Sequence, residues 1–492
     1  MNFSRRHFLT TAFAASLTPA IIGRAMAATG GRDLPIPDVW DIDSGAAPLL
    51  EAMAARTSIL EGRESVTVGY GQGFMGPVLR MKRGQTARID LGNRINEAVS
   101  VHWHGMHING AQDGGPHSPV LPAKVLKAEL DIDQPAATLW YHSHIHERTA
   151  KHVWFGLAGM LLIDDPDAPA SGLPNTYGKD DIPLVVQDRI FNREGQLHYT
   201  PQGPTRMMGY RGDTILVNGA ITPRASVPAA MVRLRILNGS NARIYNFNFE
   251  DGRKFYQVGS DGGLLPAPVA MKSLTLAPAE RAEIVVDFSS GTDVRLLSGA
   301  DNNMPMMGMM GDRMAAPTAV GDGDHFEIMT FSVDTAQKGA VRILPETLAG
   351  APKALNEKPV RRRVFNLNMM PGDMGMMNMI GRGHGMAIND AAMDMSVINE
   401  QLNLGETEIW EVNSEMMGHP FHVHGTSFQV LSQDGETVDY AKTGMKDVVL
   451  VNGTAELLVQ LNRTADAKQP FMYHCHILEH EDLGMMGQFT VS

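Results

Sequence analysis

Four His-x-His pairs, two near each end of the chain, constrain the fold of this 492-residue protein more than any other feature. The pairs are His102 with His104, His142 with His144, His422 with His424, and His474 with His476. Side chains on a β-strand alternate between its faces, so both members of each pair project to the same side. Eight neutral imidazoles have no reason to gather in an apolar core unless a cation supplies the missing charge. The pattern predicts that the pairs converge on one cavity that holds transition metal, because imidazole suits copper, zinc, nickel and iron.

The only cysteine, Cys475, indicates a second metal site and decides among these metals. One cysteine excludes an intramolecular disulfide, a zinc ribbon, a CxxC redox pair and a ferredoxin-type cluster, since each needs at least two thiols. Cys475 lies between two histidines and points to the opposite face of the strand. Two imidazoles, one thiolate and an axial thioether are the ligands typical of blue copper, and they are available here as His419, His480, Cys475 and Met485. The backbone beside Cys475 then forms a short covalent path between the two sites.

Short runs of β-branched and apolar residues, broken by Gly, Pro, Asn and Asp about every ten residues, are typical of β-sandwiches. We therefore expect an all-β chain with three sandwich domains, at about 31–168, 178–335 and 345–492. The first and third domains each carry two His-x-His pairs, whereas the second carries none. This distribution predicts repeated copies of one sandwich, with the metal chemistry built where the two terminal copies meet.

The first 27 residues resemble a twin-arginine export signal. Arg5 and Arg6 precede a modest apolar run from Phe8 to Ile22, and Ala25-Met26-Ala27 offers a small-x-small cleavage site. No later stretch reaches the ~18 apolar residues of a membrane span. We therefore expect a periplasmic protein without a membrane span. The net charge of −12 disfavours nucleic acid as a partner and favours cations.

Two methionine-rich segments interrupt the strand pattern. Residues 304–314 hold six methionines and residues 369–395 hold nine, and neither segment has the periodicity of a strand or a helix. We interpret both as irregular loops. Thioethers are soft, uncharged ligands that prefer Cu(I), so the second segment is suited to collect cuprous ions. The alternatives for such loops are flexible filler and sacrificial oxidation targets that protect the metal sites.

The motifs HWHG, WYHSH, HPFHVHG and HCHILEHEDLGMM, in this order, resemble the four signatures of the three-domain multicopper oxidases. The resemblance extends over residues 31–492 and implies three consecutive cupredoxin-like Greek-key β-sandwiches. It also implies four copper ions. The type 1 ligands would be His419, Cys475, His480 and, axially, Met485. The type 2 ligands would be His102 and His422, and a binuclear type 3 pair would share His104, His142, His144, His424, His474 and His476.

The resemblance implies a reaction as well as a metal content. The family couples four one-electron oxidations at the type 1 copper to the reduction of dioxygen to two waters at the trinuclear cluster. That reduction consumes protons, so an enclosed site requires carboxylates that relay them. Asp113 and Glu481 correspond to the family's proton-relaying acids. Without that role, Asp113 would be a turn residue before Gly114, and Glu481 would be a solvated charge at a helix end.

Within the family, the nearest resemblance is to the periplasmic cuprous oxidases of copper-efflux systems, in which a Met-rich insertion covers the type 1 copper and carries the substrate site. This resemblance implies Cu(I) as the electron donor and an additional Cu(I) site in the loop. The matching substrate residues are Met369, Asp373 and Met417. Glu415 matches an acid that lies between the substrate copper and the type 1 site. The loop departs from the family because it offers only one histidine, His384, and spaces Met369 and Asp373 differently.

A laccase-like phenol oxidase is the main enzymatic alternative. Two further alternatives belong to other classes: a Cu(I) storage or delivery protein, and a non-catalytic scaffold for cell division that is exported by the same route. The scaffold proteins have lost copper ligands, whereas this chain keeps ten histidines, Cys475 and Met485. We expect a monomer. The histidines that lack a second partner at ligand spacing are expected at the surface or in ordinary hydrogen bonds: His107, His117, His146, His152, His198 and His325.

Overall fold

The computed structural model describes residues 32–43, 45–166, 168, 172–301, 325–369 and 385–492. The predicted export signal and the methionine-rich segment 304–314 lie outside the described residues. Part of the second methionine-rich segment, residues 370–384, also lies outside them, and this part includes Asp373 and His384. Everything below concerns the described residues.

Two four-stranded sheets form the N-terminal sandwich. Their strands are β1 (Val39–Asp41), β2 (Leu49–Thr57), β3 (Ser65–Tyr70), β4 (Val78–Lys82), β5 (Thr86–Asn93), β6 (Val125–Asp131), β7 (Ala137–His142) and β8 (Ala158–Asp164). The strand orders are β1-β4-β8-β7 and β3-β2-β5-β6. In β5, Ala87, Ile89 and Leu91 are buried, and the residues between them are more exposed, as expected for a strand with one face on the core. Apolar residues of both sheets share one core.

A seven-stranded and a five-stranded sheet form the middle sandwich. Their strands are β9 (Asp181–Arg189), β10 (Thr214–Val217), β11 (Ala220–Ile221), β12 (Arg224–Pro228), β13 (Met231–Asn238), β14 (Tyr245–Phe249), β15 (Phe255–Ser260), β16 (Gly263–Met271), β17 (Ser273–Leu276), β18 (Arg281–Asp287), β19 (Val294–Gly299) and β20 (Phe326–Asp334). The orders are β11-β10-β9-β13-β18-β15-β16 and β12-β20-β19-β14-β17. Central strands such as β9 and β18 are buried almost throughout, and they line a core rich in phenylalanine.

The C-terminal sandwich is built from β21 (Arg361–Asn368), β22 (Ala387–Ile388), β23 (Glu400–Leu402), β24 (Thr407–Val423), β25 (Gln429–Gln433), β26 (Glu436–Thr437), β27 (Val448–Gln460), β28 (Phe471–Cys475) and β29 (Met486–Val491). The main path is β23-β29-β28-β24-β27-β25-β26, and β21 pairs with β22 and β24. The long strand β24 shifts register between Ser414 and His419 against β27. Beyond this bulge, β24 pairs with β28 and brings Phe421 and His422 opposite Cys475 and His474.

The described residues include five short helices, which are α1 (Gly110–Asp113), α2 (Thr149–Phe155), α3 (Pro204–Met207), α4 (Tyr440–Thr443) and α5 (Leu478–Asp482). The expectation of an all-β chain is therefore confirmed. The strands of the three sandwiches fall within the three ranges expected from the sequence, and the exact domain boundaries remain predictions. No helix in the described part of the chain is long and apolar enough to cross a membrane.

Candidate metal centre

The eight histidines of the four pairs lie together in the interior, and we call them the histidine cluster. Each is at most 1% exposed. Rings from opposite ends of the chain stack directly: the ring centroids of His102 and His424 are 3.9 Å apart, and those of His104 and His422 are 3.7 Å apart. The N-terminal and C-terminal sandwiches therefore meet at the histidine cluster.

The ring nitrogens of the cluster fall into groups that a metal ion can bridge. In each of three sets the ligand atoms lie within 4.8 Å of one another: His102, His104 and His422; His104, His142 and His476; and His144, His424 and His474. The last two sets divide the six histidines that the sequence analysis assigned jointly to a type 3 pair. The N-terminal and C-terminal sandwiches both contribute to every set.

Hydrogen bonds on the outer side of the rings leave inward nitrogens available for a cation. The Nδ1 atoms of His102, His142 and His422 contact backbone carbonyl oxygens at 2.7 to 3.0 Å, and the opposite Nε2 atoms have no hydrogen-bond partner among the described residues. His104 is reversed, because its Nε2 lies 3.2 Å from Asp447 and its Nδ1 has no partner. Buried polar atoms are rarely left unpaired. These nitrogens therefore fit metal ions whose histidine ligands are oriented by hydrogen bonds from outside.

Burial keeps seven of the eight cluster imidazoles neutral. Loss of solvation lowers the pKa of His474 to about 3. The same loss, followed by repulsion from neighbouring imidazoles and, for His104, from Arg281 as well, lowers the pKa values of the following residues well below the usual range: His104, His142, His144, His422, His424 and His476. Neutral imidazole is the form that binds metal, so the folded chain presents its ligands ready for binding.

The two acids expected to serve the cluster both contact its histidines. Asp113 Oδ2 accepts a hydrogen bond from His424 Nδ1 at 2.8 Å and lies 3.3 Å from His102 Nδ1. The carboxylate oxygens of Glu481 lie 3.2 Å from His474 Nδ1 and 3.5 Å from His144 Nδ1. Burial, followed by the charge of Asp482, raises the pKa of Glu481 well above its usual range. Asp113 and Glu481 thus each contact two histidines of the cluster, and burial favours the protonated form of Glu481.

Sequence reasoning missed a buried ion pair that contacts the cluster. Asp447 lies 3.2 Å from His104 Nε2, and its backbone oxygen accepts a hydrogen bond from His422 Nδ1 at 2.7 Å. Arg281 of β18 donates to both carboxylate oxygens of Asp447, at 2.6 and 2.5 Å, and to the backbone oxygen of Thr138 in β7 at 3.1 Å. Arg281 thereby joins all three sandwiches. The acid that precedes the apolar run 448–451 was the only signal in the sequence.

The second group, which we call the cysteine site, consists of His419, Cys475, His480 and Met485. Cys475 Sγ lies 3.2 Å from His419 Nδ1 and 3.7 Å from His480 Nδ1, and the two imidazole nitrogens are 3.2 Å apart. His480 Nε2 donates to the backbone oxygen of Met207, which leaves its Nδ1 lone pair free for a cation. Met485 is buried in the same apolar core as Cys475, and its backbone oxygen accepts the Cys475 N–H bond.

The environment of Cys475 determines the state of its thiol and the partners of its side chain. Burial raises the pKa of its thiol well above the usual range. A bound cation would reverse this shift, because a coordinating thiol is deprotonated. The side chain also points away from its neighbours in sequence: His474 joins His144 and His424, and His476 joins His104 and His142, whereas Cys475 joins His419 and His480. The alternation of a single strand thus separates the two sites.

The residues expected to handle Cu(I) differ in their exposure to solvent. Met369 and Met417 are 5% and 4% exposed, and they belong to the core that contains Cys475 and Met485. Glu415 is exposed at the bulge of β24. Asp373 lies outside the described residues. The structure therefore places two of the expected thioethers in the apolar core of the C-terminal sandwich, which also contains Cys475 and Met485, and it places the acid at the surface.

Most of the remaining histidines make ordinary contacts, as expected. His107 bonds to Ser427, His117 to Gln488 and His198 to Thr200, and His325 is exposed. His152 is also hydrogen-bonded, but its partner is Ser143, the residue between two members of the histidine cluster.

Comparison with known proteins agrees with this geometry. Two family models described as multicopper oxidase match residues 52–168 and 354–492. A multicopper oxidase of Staphylococcus haemolyticus is 33% identical over 90% of this chain and 88% of its own length. The chain belongs to the multicopper oxidase family. A solved multicopper oxidase, the laccase-like CueO of an Ochrobactrum species, superposes with a TM-score of 0.84 at 38% identity, covering 93% of this chain and all of that one.

Membership of the multicopper oxidase family implies copper ions, and it identifies the fold as cupredoxin-like. It also implies an oxidoreductase that uses dioxygen and a reducing substrate. The family is broader than one activity, however. A protein of Yersinia pestis named cell division protein FtsP is 34% identical over the whole of this chain and 98% of its own length. The ligands of the individual chain must therefore carry the functional argument.

Proposed function

We propose that this protein is an exported cuprous oxidase, which takes electrons from Cu(I) at the cysteine site and reduces dioxygen to water in the histidine cluster. The observation that carries the proposal is the complete and convergent set of ten histidines, Cys475 and Met485. Every histidine in this set is buried, and each belongs to at least one group whose ligand atoms lie close together. The twin-arginine pattern supports export to the periplasm.

The geometry supports four copper ions. One would be held by the cysteine site, and one by His102 and His422. The remaining two would be held by the two sets of three histidines, which are His104, His142 and His476, and His144, His424 and His474. When bound, these ions supply one-electron chemistry at the thiolate and a place for dioxygen to be reduced. His474 and His476 flank Cys475, so adjacent peptide units connect the two sites.

The acids of the chain support the proton supply. A carboxyl oxygen of Glu481, the acid whose pKa burial raises, lies 3.2 Å from His474 Nδ1. Beside helix α5 lies a cavity of 310 Å³ that is lined in part by Glu479 and Asp482. Burial raises the pKa of Asp482 to about 8. Asp482 and Glu481 are adjacent in α5, and burial favours the protonated form of both, so these acids are suited to replace the protons that dioxygen reduction consumes.

The methionines support Cu(I) as donor. Met369 and Met417 share a core with Cys475, and thioethers prefer the cuprous ion. The Glu415 carboxylate would stabilise the extra positive charge that remains when a cuprous ion gives up its electron. A laccase-like oxidation of phenols is the second candidate, and the similarity to the Ochrobactrum laccase-like oxidase favours it.

One deletion tests the choice of donor. Residues 370–384 can be replaced by a short Gly-Ser link, since the Met369 backbone oxygen lies close to Gly385. A cuprous oxidase should lose oxygen consumption with Cu(I) and should keep or gain it with a phenol. Glu415→Gln, which leaves the loop intact, should weaken only the Cu(I) reaction. If the deletion changes neither the rate with Cu(I) nor the rate with the phenol, the proposal is contradicted. If the copper-loaded protein is colourless and consumes no oxygen, a storage protein or a scaffold is favoured instead.

A further inference from the structure

Helix α2 carries a buried histidine that contacts the histidine cluster from outside. His152 is 2% exposed, and its Nδ1 lies 2.7 Å from the Ser143 hydroxyl oxygen. The Ser143 hydroxyl also accepts a hydrogen bond from the Ser100 N–H group at 3.4 Å. Burial lowers the pKa of His152 to about 4, so the imidazole is neutral and serves as a hydrogen-bonding group.

Ser143, whose hydroxyl contacts His152, also contacts one cluster ligand and precedes another. The Ser143 backbone oxygen accepts the hydrogen bond from His142 Nδ1 at 3.0 Å, which directs the His142 Nε2 atom inward. The following N–H group, that of His144, donates to the Ser100 hydroxyl at 2.8 Å. A rotation of the Ser143 peptide would therefore turn both imidazoles at once. His142 and His144 belong to different sets of three, so both sets depend on this peptide.

The outer end of His152 approaches the surface. Its Nε2 atom lies 3.6 Å from Glu97, whose side chain is 38% exposed. Lys151 also binds Glu97, at 2.9 Å. Serine, histidine and glutamate thus form a line from the histidine cluster to the solvent.

Hydrogen bonds from the other two sandwiches hold helix α2 in place, and they therefore fix the position of the His152 backbone. Asp482 of α5 accepts hydrogen bonds from the backbone N–H groups of Thr149 and Ala150, both at 3.0 Å. Asn241 donates to the Ala150 oxygen at 3.0 Å, and Arg189 donates to the Val153 oxygen at 2.9 Å. Helix α2 therefore connects the segment that carries His480 and Glu481 with the segment that carries His142 and His144.

We propose that His152 is a positioning residue that sets the orientation of His142 and His144 through Ser143, and so controls the metal occupancy of the histidine cluster. The proposal rests on the proposed function, since it assumes that the cluster binds copper. Partners that orient metal-binding histidines typically change metal affinity or activity by about 10 to 100-fold when they are removed.

Two substitutions at one position separate this role from simple packing. The amide of His152→Asn reaches the place of Nδ1 and keeps the bond to Ser143, whereas the amide of His152→Gln reaches the place of Nε2 and loses it. We expect His152→Gln to bind copper in the histidine cluster about 10 to 100-fold more weakly and to consume oxygen correspondingly more slowly. The blue absorption of the Cys475 thiolate should persist. His152→Asn should restore the occupancy and turnover of the unsubstituted protein.

The matched control is His107→Asn. His107 is another histidine bound to a serine, with its Nε2 atom 2.9 Å from the Ser427 hydroxyl, and this serine does not lie between two ligands. Asparagine there loses the bond, and copper content should not change. Copper per chain after dialysis, blue absorption and the unfolding midpoint of the metal-free proteins are measured together.

Several results would overturn the inference. Full copper occupancy in His152→Gln, or equal losses in the Asn and Gln variants, would show that the bond to Ser143 does not position the ligands. A parallel loss of blue absorption and of metal-free stability would show a general structural role. If the unsubstituted protein takes up no copper, the proposed function fails first and this inference fails with it.

Discussion

The cysteine site and the histidine cluster lie next to each other in sequence at Cys475, yet they are built in different ways. All ligands of the cysteine site come from residues 419–485, on one sheet and the short helix after it. The histidine cluster takes half of its ligands from residues 102–144 and half from residues 422–476. The ligands of the first site all belong to one sandwich, with one outer hydrogen bond from His480 to Met207 of the middle sandwich, whereas the ligands of the second site come from two sandwiches and depend on how they pack. Substitutions that disturb the packing between sandwiches should therefore weaken the histidine cluster more than the cysteine site.

The largest effect is expected at the thiolate. Cys475→Ser should abolish the blue absorption and reduce oxygen consumption to background with every donor, because electrons lose their entry point. The histidine cluster should keep its copper, since its ligands do not depend on the sulfur. Copper per chain and oxygen-electrode rates measure both effects. Unchanged oxygen consumption would disprove the division of labour between the two sites.

Acid should destabilise the metal-free protein by several kcal/mol, mainly through the histidine cluster. Folded-state pKa values are lowered, to about 3 for His474 and about 4 for His480. Above about pH 6.5 these histidines are neutral in both states and have no effect. Below that value the unfolded chain binds protons that the folded chain does not, so stability falls by roughly 1.4 kcal/mol per pH unit for each such histidine. Thermal unfolding at pH 7.5, 6 and 5 measures the slope, and a flat midpoint would contradict it.

Arg281→Met should weaken the histidine cluster more than the cysteine site. It leaves the buried Asp447 carboxylate without its arginine, and breaking a buried pair typically costs about 3–5 kcal/mol. Denaturant unfolding should show this loss, and cluster copper should dissociate while blue absorption persists. Arg362→Met is the control, because Arg362 pairs with Glu411 and Glu456 at the surface, where a pair contributes about 0–1 kcal/mol. If the blue absorption is lost before copper leaves the histidine cluster, the prediction is contradicted.

Glu481→Gln should slow turnover without changing the metal content of either site. The amide cannot supply a proton, and positioned acids contribute about 100-fold or more to rate. Reduction of the cysteine site by an added donor, followed by its loss of colour without oxygen, should proceed at the normal rate, while oxygen consumption falls. Equal slowing of both steps would show that Glu481 acts on electron entry instead.

Local periodicity explains what the sequence could predict. A strand alternates its side chains, so the His-x-His pairs and the opposite direction of Cys475 follow from spacing alone. The acids Asp113 and Glu481 were proposed from their resemblance to the proton-relaying acids of the multicopper oxidases, not from spacing. In contrast, the Arg281–Asp447 pair joins two distant segments and has no local pattern. The division of six histidines into two sets also depends on the packing of sandwiches, which spacing does not determine.

The distance along the chain between cluster ligands has a consequence for synthesis. His144 and His474, whose ring nitrogens lie 3.3 Å apart, are separated by 330 residues. A nascent polypeptide therefore emerges from the ribosome with the first half of its histidine cluster long before the second half exists. A product that ends between residues 144 and 419 would carry four of the eight imidazoles and no sulfur ligand, so it could complete none of the three-histidine sets and no cysteine site.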